Sequence, residues 1–209
     1  MVAFSGGPDS LALLAALVEL APSLDLTVLA AHYDHRLDPD STARAERARA
    51  LSSYLGVPCH LGRREDGPEA PPPGSPEAAA RRLRYGFLDR VRRSLEADFV
   101  LTAHHADDQA ETLLLRLNRA SGVAGLAGAR ARGTVPETEI PLLRPLLDWR
   151  RAELVAIVES TGIEAAQDPS NEDDRFDRAR LRKALAGADW LDVGAMAESA
   201  SHLADADAA

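Results

Sequence analysis

Short apolar runs alternate with longer stretches of helical periodicity over roughly the first 120 residues. The runs Met1 to Phe4, Leu26 to Ala31, Val57 to Leu61 and Phe99 to Ala103 carry no formal charge and are partly β-branched, the pattern of strands buried on both faces. Helices are predicted from Leu11 onward, over Thr42 to Leu55 with Gly56 as the stop, over Glu77 to Ala97, and over Asp107 to Arg119. The last of these carries Ala110, Leu113, Leu114 and Leu117 as its core stripe. Ile140 to Leu147 offers a fifth strand, and Asp148 reads as the cap of a helix over Arg150 to Thr161. Two short helices follow near Arg180 to Leu185 and Val193 to Ala204. Gly62 to Pro76 and Asp168 to Asp174 read as loops, and Gly122 to Gly133 shows no element. Strand–helix alternation calls for right-handed crossovers. The predicted fold is α/β: a doubly wound, mostly parallel five-stranded sheet flanked by helices, with a small C-terminal helical segment.

In such sheets ligands bind at the carboxyl ends of the strands. Three polar clusters fall there: Ser5 to Ser10, His32 to His35 and His104 to Glu111. In Ser5-Gly6-Gly7-Pro8-Asp9-Ser10 the glycines free the backbone for positive φ and close approach to a ligand, and Pro8 pre-sets φ at a helix start. Unpaired first-turn N–H groups make an anion site there, to which Ser5 and Ser10 add hydroxyl donors. Asp9 would repel a phosphate unless a divalent cation lay between them, so Mg²⁺ is expected with the anion. Read more plainly, the same residues are a turn with Asp9 capping a helix. The preceding strand can be no longer than Met1 to Phe4, which is short for a central strand, so a natural start upstream of Met1 is expected.

A chain of 209 residues suits one α/β domain with a small appendage. No apolar stretch approaches a membrane span, and the first residues show no charged-then-apolar signal pattern, though a natural start upstream would lie outside this reading. The single Cys59 excludes a disulfide framework and a Cys-x-x-Cys metal or sulfur-carrier motif, so a cytoplasmic location is expected. The net charge of −9 argues mildly against a bulk nucleic-acid binder. Its distribution qualifies that. Lys183 is the only lysine, and arginines gather at Arg81 to Arg84, Arg90 to Arg93 and Arg178 to Lys183, where they suit bidentate phosphate contacts.

His104-His105-Ala106-Asp107-Asp108-Gln109-Ala110-Glu111 sets two histidines at a strand end and carboxylates in a helix first turn. Asp108 and Glu111, three residues apart, project on one side, away from the leucine stripe. Helix capping by Asp107 accounts for some of these acids but not for the histidine pair or Glu111. Two other readings stay open. Asp34-His35 with His104-His105 and an aspartate could ligate two metal ions in a phosphoesterase, or the fold could be a nucleotide sensor without catalysis.

Ser-Gly-Gly-x-Asp-Ser resembles the pyrophosphate-binding loop of the N-type ATP pyrophosphatases, the PP-loop ATPases with a Rossmann-like adenine nucleotide alpha hydrolase fold. The further series resembles the tRNA(Ile)-lysidine synthetases: His32-x-Asp34-His35-x-Leu37, Glu77, Ala80-Arg81, Arg84-Tyr85, His104-His105-x-x-Asp108-Gln109-x-Glu111-Thr112 and Arg116. Arg144-Pro145-Leu146, Asp168-Pro169-Ser170-Asn171 and Arg178-x-Arg180-x-Arg182 continue it in family order. The related tRNA thiolases carry paired cysteines, which one cysteine cannot supply. One departure is Ala179 after Arg178, where the family often has Arg-Asn.

The resemblance implies a catalytic PP-loop domain over 1–147 and a helical extension over 148–209 packing on it, without the tRNA-binding C-terminal domains of longer members. It implies that ATP, with Mg²⁺, activates C2 of the wobble cytidine in the CAU anticodon of tRNA(Ile). Free L-lysine then displaces AMP from an adenylated intermediate, giving lysidine. It assigns Ser5, Gly6, Gly7, Pro8, Asp9, Ser10, His32 and His105 to the nucleotide, with Asp9 toward the metal. Asp34, Asp108, Glu111 and Arg84 take the catalytic places. Arg81, His104, Arg116, Arg178, Arg180 and Arg182 face the amino acid or the tRNA. A homodimer is compatible with it, and a membrane is not involved.

Overall fold

The computed structural model of the chain describes residues 1–36, 38–64, 76–135, 138–166 and 177–208. The strands are β1 (Val2–Ala3), β2 (Ala30–Asp34), β3 (Cys59–Arg63), β4 (Val100–Leu101), β5 (Arg132–Thr134) and β6 (Pro141–Leu143). Among them run α1 (Pro8–Leu24), α2 (Ser41–Tyr54), α3 (Pro76–Ser94), α4 (Ala106–Leu117), α5 (Val123–Leu126), α6 (Arg151–Thr161), α7 (Asp177–Ala186) and α8 (Val193–Ala208). The predicted loop at Gly62 to Pro76 lies outside the described residues from 65 to 75, and the one at Asp168 to Asp174 lies outside them entirely.

The strands form a six-stranded sheet ordered β3-β2-β1-β4-β6-β5, parallel except for β5, which runs antiparallel to β6. The expected doubly wound, mostly parallel sheet is therefore present, with six strands instead of five. The extra strand is Arg132-Gly133-Thr134 at the edge, fully exposed and without alternation. It lies in the stretch where no element was legible. β2 begins four residues later than the apolar run at Leu26, because Leu26 is exposed and the ladder with β1 starts at Ala30.

Side chains alternate across the sheet as strand geometry requires. Val2 and Ala30 face one apolar cluster with Leu11, Leu14, Ala48, Leu154 and Val158. Met1 and Ala31 face the other, with Tyr85, Phe87, Leu88, Val100 and Leu142. Thus α1, α2 and α6 cover one face and α3 covers the other. The α8 helix packs on α4 and α5 beyond the sheet. Strand order reverses between β1 and β4, the switch point at which open α/β sheets leave a crevice. The loops leaving these two strands lead directly into α1 and α4. That places the two main polar clusters face to face.

Candidate nucleotide and amino-acid site

Residues 5–10 form a self-bonded loop. The Ser5 and Ser10 hydroxyls lie 3.0 Å apart, Ser10 Oγ donates to the Gly7 carbonyl at 3.1 Å, and Gly7 N–H donates to Ser5 Oγ at 3.3 Å. Gly6 has φ +83°, and a Cβ there would come within 3.3 Å of Ala48 Cβ and 3.4 Å of Ala166 Cβ. Only glycine combines that backbone with that space. Gly7 is the N-cap of α1 and supplies no side-chain cap, with Pro8 at the first helical position. The first-turn N–H groups therefore stay available to an anion. Asp9 Oδ1 is buried and accepts no hydrogen bond, with Arg151 Nε 3.8 Å away. An unsatisfied hard oxygen beside an anion site fits Mg²⁺, which commonly takes one or two protein carboxylates and completes its shell with phosphate and water.

The β2 cluster supports this loop from the side. His32 Nδ1 is 2.8 Å from the Phe4 carbonyl, immediately before the loop. Asp34 is buried, accepting from Arg36 N–H at 2.8 Å and from Thr42 Oγ1 at 3.1 Å. Burial opposes its ionisation, but these donors and the Ser41 hydroxyl hold its pKa below the usual carboxylate value. Oδ1 thus closes the turn after β2, and Oδ2 ties β2 to the start of α2.

At α4, His105 is the N-cap and is almost wholly buried. Its Nδ1 accepts from Asp108 N–H at 3.3 Å, and its own N–H donates to Asp108 Oδ2 at 3.2 Å. Its Nε2 lies 3.7 Å from Asp9 and 3.5 Å from Asp108. Burial works against the imidazolium, but Asp9, Asp108 and Asp107 outweigh it and raise the pKa. His105 therefore bridges the two halves of the crevice. Asp107 is not the cap of its own helix: it accepts from Arg151 N–H at 2.8 Å and pairs with Arg150, capping α6 instead. The predicted cap Asp148 has no such role, since α6 starts after Arg150, whose N–H donates to Glu153 at 2.7 Å.

Glu111 lies away from the leucine stripe, but it is covered by another helix. It is 2% exposed and paired with Arg182 of α7, Nε to Oε1 at 2.5 Å. Asp108 Oδ1 lies 3.5 Å from Arg182 and 3.7 Å from Arg178. The structure thus brings Asp9, His105, Asp108, Glu111, Arg178 and Arg182 together. It does not bring in Arg116, exposed on the last turn of α4, or Arg180, paired outward with Asp177 at 2.5 Å. Arg81 and Arg84 lie over the Tyr85 ring, 4.7 and 5.3 Å from its centroid.

His104 bonds through Nδ1 to Thr102 Oγ1 at 2.9 Å. Burial, aided by Arg144, Arg178 and Arg81 and opposed by Asp108, lowers its pKa from 6.5 to about 4. His35 is lowered to about 4 in the same way, by burial and then Arg84. Both are neutral in the fold, whereas the unfolded chain protonates them below 6.5. Their stabilising contribution is present above that value and is lost as pH falls toward 4; His105 has the opposite sign. The thermal midpoint should accordingly fall between pH 6.5 and 4, and less steeply in His104→Gln. Parallel midpoint curves for the variant and the parent would exclude His104 as a source.

Sequence reasoning missed the roles of Arg150 and Arg151, of Ala166, whose N–H donates to the Gly6 carbonyl at 2.8 Å, and of Tyr85 and Arg144. Only the last two carried a signal, standing within Arg84-Tyr85 and Arg144-Pro145-Leu146. Among the described residues, no group of three or more His, Cys, Asp or Glu side chains could hold a metal ion. The two-metal reading therefore gains no support. No helix is long and apolar enough to cross a membrane, again among the described residues.

The crevice has a loop of bare helix amides on one wall and a histidine-capped acidic helix on the other. The sequence pattern of the PP-loop domain matches residues 1–188, and the chain belongs to that family. Across its whole length the chain is 47% identical to the tRNA(Ile)-lysidine synthase of Novosphingobium aromaticivorans, covering 62% of that protein. It is 42% identical to the tRNA(Ile)-lysidine synthase of Rhodopseudomonas palustris, covering 60%. The chain thus spans about three-fifths of the length of these relatives. In fold it is similar to the U34-tRNA thiolase NcsA from Methanococcus maripaludis, with TM-score 0.78 and 16% identity over 98% of this chain and 69% of that one.

Proposed function

We propose that the chain joins free L-lysine to C2 of the wobble cytidine in the CAU anticodon of tRNA(Ile), using ATP and releasing AMP and pyrophosphate. The observation that carries this reading is the facing of Asp9 and the residue 5–10 loop with His105 and Asp108 across the switch point. The names of the relatives supply the substrate class.

In this reading the first-turn amides of α1, with the Ser5 and Ser10 hydroxyls, bind the ATP phosphates. Asp9 Oδ1 would hold Mg²⁺, which supplies charge neutralisation on the departing pyrophosphate. The C2 oxygen attacks the α-phosphate, and the lysine ε-amine then displaces AMP at C2. An amine must be neutral to attack, so a nearby carboxylate has to accept its proton. Asp108 suits that role better than Glu111, whose two oxygens are bound by Arg182. Glu111 and Asp34 then act as positioning residues, one holding α7 and the other holding α2. Neutral His104 supports the base or the amine without repelling the ammonium.

Cleavage between the α and β phosphates predicts AMP and pyrophosphate as products in the presence of lysine and an unmodified CAU transcript. Chromatography of the spent nucleotide reads this directly. ADP with inorganic phosphate as the main products would overturn it.

A further inference from the structure

Two buried polar groups beside the site have no part in the chemistry above. Tyr85 is 2% exposed and Arg144 is 8% exposed, yet the Tyr85 hydroxyl and Arg144 Nε make no hydrogen bond. Buried polar groups are normally satisfied, and each unsatisfied one calls for a partner or a role. The Arg144 guanidinium is fixed by its other end, where NH1 donates to the Arg130 carbonyl at 2.7 Å. That leaves Nε buried and without a hydrogen-bond partner. Arg144 follows β6 directly, at the same end of the sheet as His104, and both Tyr85 and Arg81 act on it electrostatically.

Arg81 and Arg84 lie over the Tyr85 ring. The Tyr85 hydroxyl is near Arg84 but forms no hydrogen bond of acceptable geometry with it. Among the described residues no carboxylate reaches ion-pair distance of Arg81, Arg84 or Arg144, whereas Arg150, Arg151, Arg178 and Arg182 all face acids. Tyr85 and Arg81 also line a cavity of about 670 Å³ beside α3, whose other charged lining residues are Arg82, Arg93, Asp89 and Glu139, with Arg93 paired to Asp89. A cavity of that size admits a nucleotide unit, which a free carboxylate does not need.

We propose that the Arg144 Nε–H and the Tyr85 hydroxyl, with Arg81 and Arg84, form an oxyanion subsite for a phosphodiester of the substrate RNA, bordering this cavity through Tyr85 and Arg81. The source of the anion rests on the RNA-modifying reading above; the unsatisfied donors do not.

Tyr85→Phe removes only the hydroxyl. With no partner to lose in the free protein, the variant should melt at or above the temperature of the parent. Its affinity for a synthetic anticodon stem-loop with a CAU loop should fall roughly tenfold, the loss expected for a hydrogen bond to a charged group. Arg144→Lys keeps the charge but loses the Nε edge, and should weaken RNA binding similarly. The lysine KM at saturating RNA separates the sources. A raised lysine KM with unchanged RNA affinity would assign the subsite to the amino-acid carboxylate and overturn the phosphodiester assignment. A lower melting point for Tyr85→Phe, or unchanged RNA affinity in both variants, would remove the subsite. Lysine transfer by the parent chain in that last case would leave the proposed reaction standing; RNA binding without transfer would do the reverse.

Discussion

Asp108→Asn is expected to lower lysine transfer by roughly 100-fold or more while the chain stays folded. The substitution is nearly isosteric, and the amide oxygen can still accept from His105 N–H, so the capping box at the start of α4 survives. What disappears is the charge that attracts the substrate ammonium and the site that takes its proton. ATP–pyrophosphate exchange with the RNA should persist, because Asp9 and the residue 5–10 loop are untouched. Single-turnover incorporation of labelled lysine, with a thermal melt alongside, makes the measurement. Transfer within a few-fold of the parent would reduce Asp108 to a helix cap.

Arg182→Ala should destabilise the fold by roughly 2–4 kcal/mol, because it strands a buried carboxylate. Glu111 is 2% exposed and loses both of its hydrogen bonds. The figure is set below that of a fully buried pair, since the Arg182 side chain is itself 32% exposed and water can partly replace it. For a chain of this size the midpoint should drop by about 10 °C. Adding Glu111→Gln to Arg182→Ala should recover most of that loss by removing the stranded charge. An Arg182→Ala protein that melts with the parent would show that the pair does not anchor α7.

The loop and the fold class were legible because their signals are local. Gly6, Gly7 and Pro8 define a turn into a helix whatever surrounds them, and apolar runs at regular spacing define a parallel sheet. The placement of three clusters at strand ends followed from topology alone. What could not be read was direction. Helix phase puts Glu111 opposite the leucine stripe, but nothing local says that α7 covers that side with Arg182. By local rules Asp107 caps the helix it begins; in the fold it caps α6, because the sheet brings the two helix starts together. The arginines of α7 looked like one RNA-facing row. The structure turns Arg178 and Arg182 inward and leaves Arg180 outside. β5 escaped because three exposed residues at a sheet edge need no pattern of their own.

The hydrogen bond from Ala166 to the Gly6 carbonyl closes a long span of chain, with α2, α3 and α4 lying between its two ends. The residue 5–10 loop is therefore braced by a residue far from it in sequence. Arg150, Arg151 and Arg182 are likewise distant in sequence from the acids they face, Asp107, Asp9 and Glu111. Contacts so distant in sequence form only after the intervening chain has collapsed, and they make folding slow. A nascent chain lacking them would hold a half-built crevice in which Asp9, Asp107 and Asp108 repel an incoming nucleotide. The crevice is thus a product of long-range closure and exists only when the domain is nearly complete.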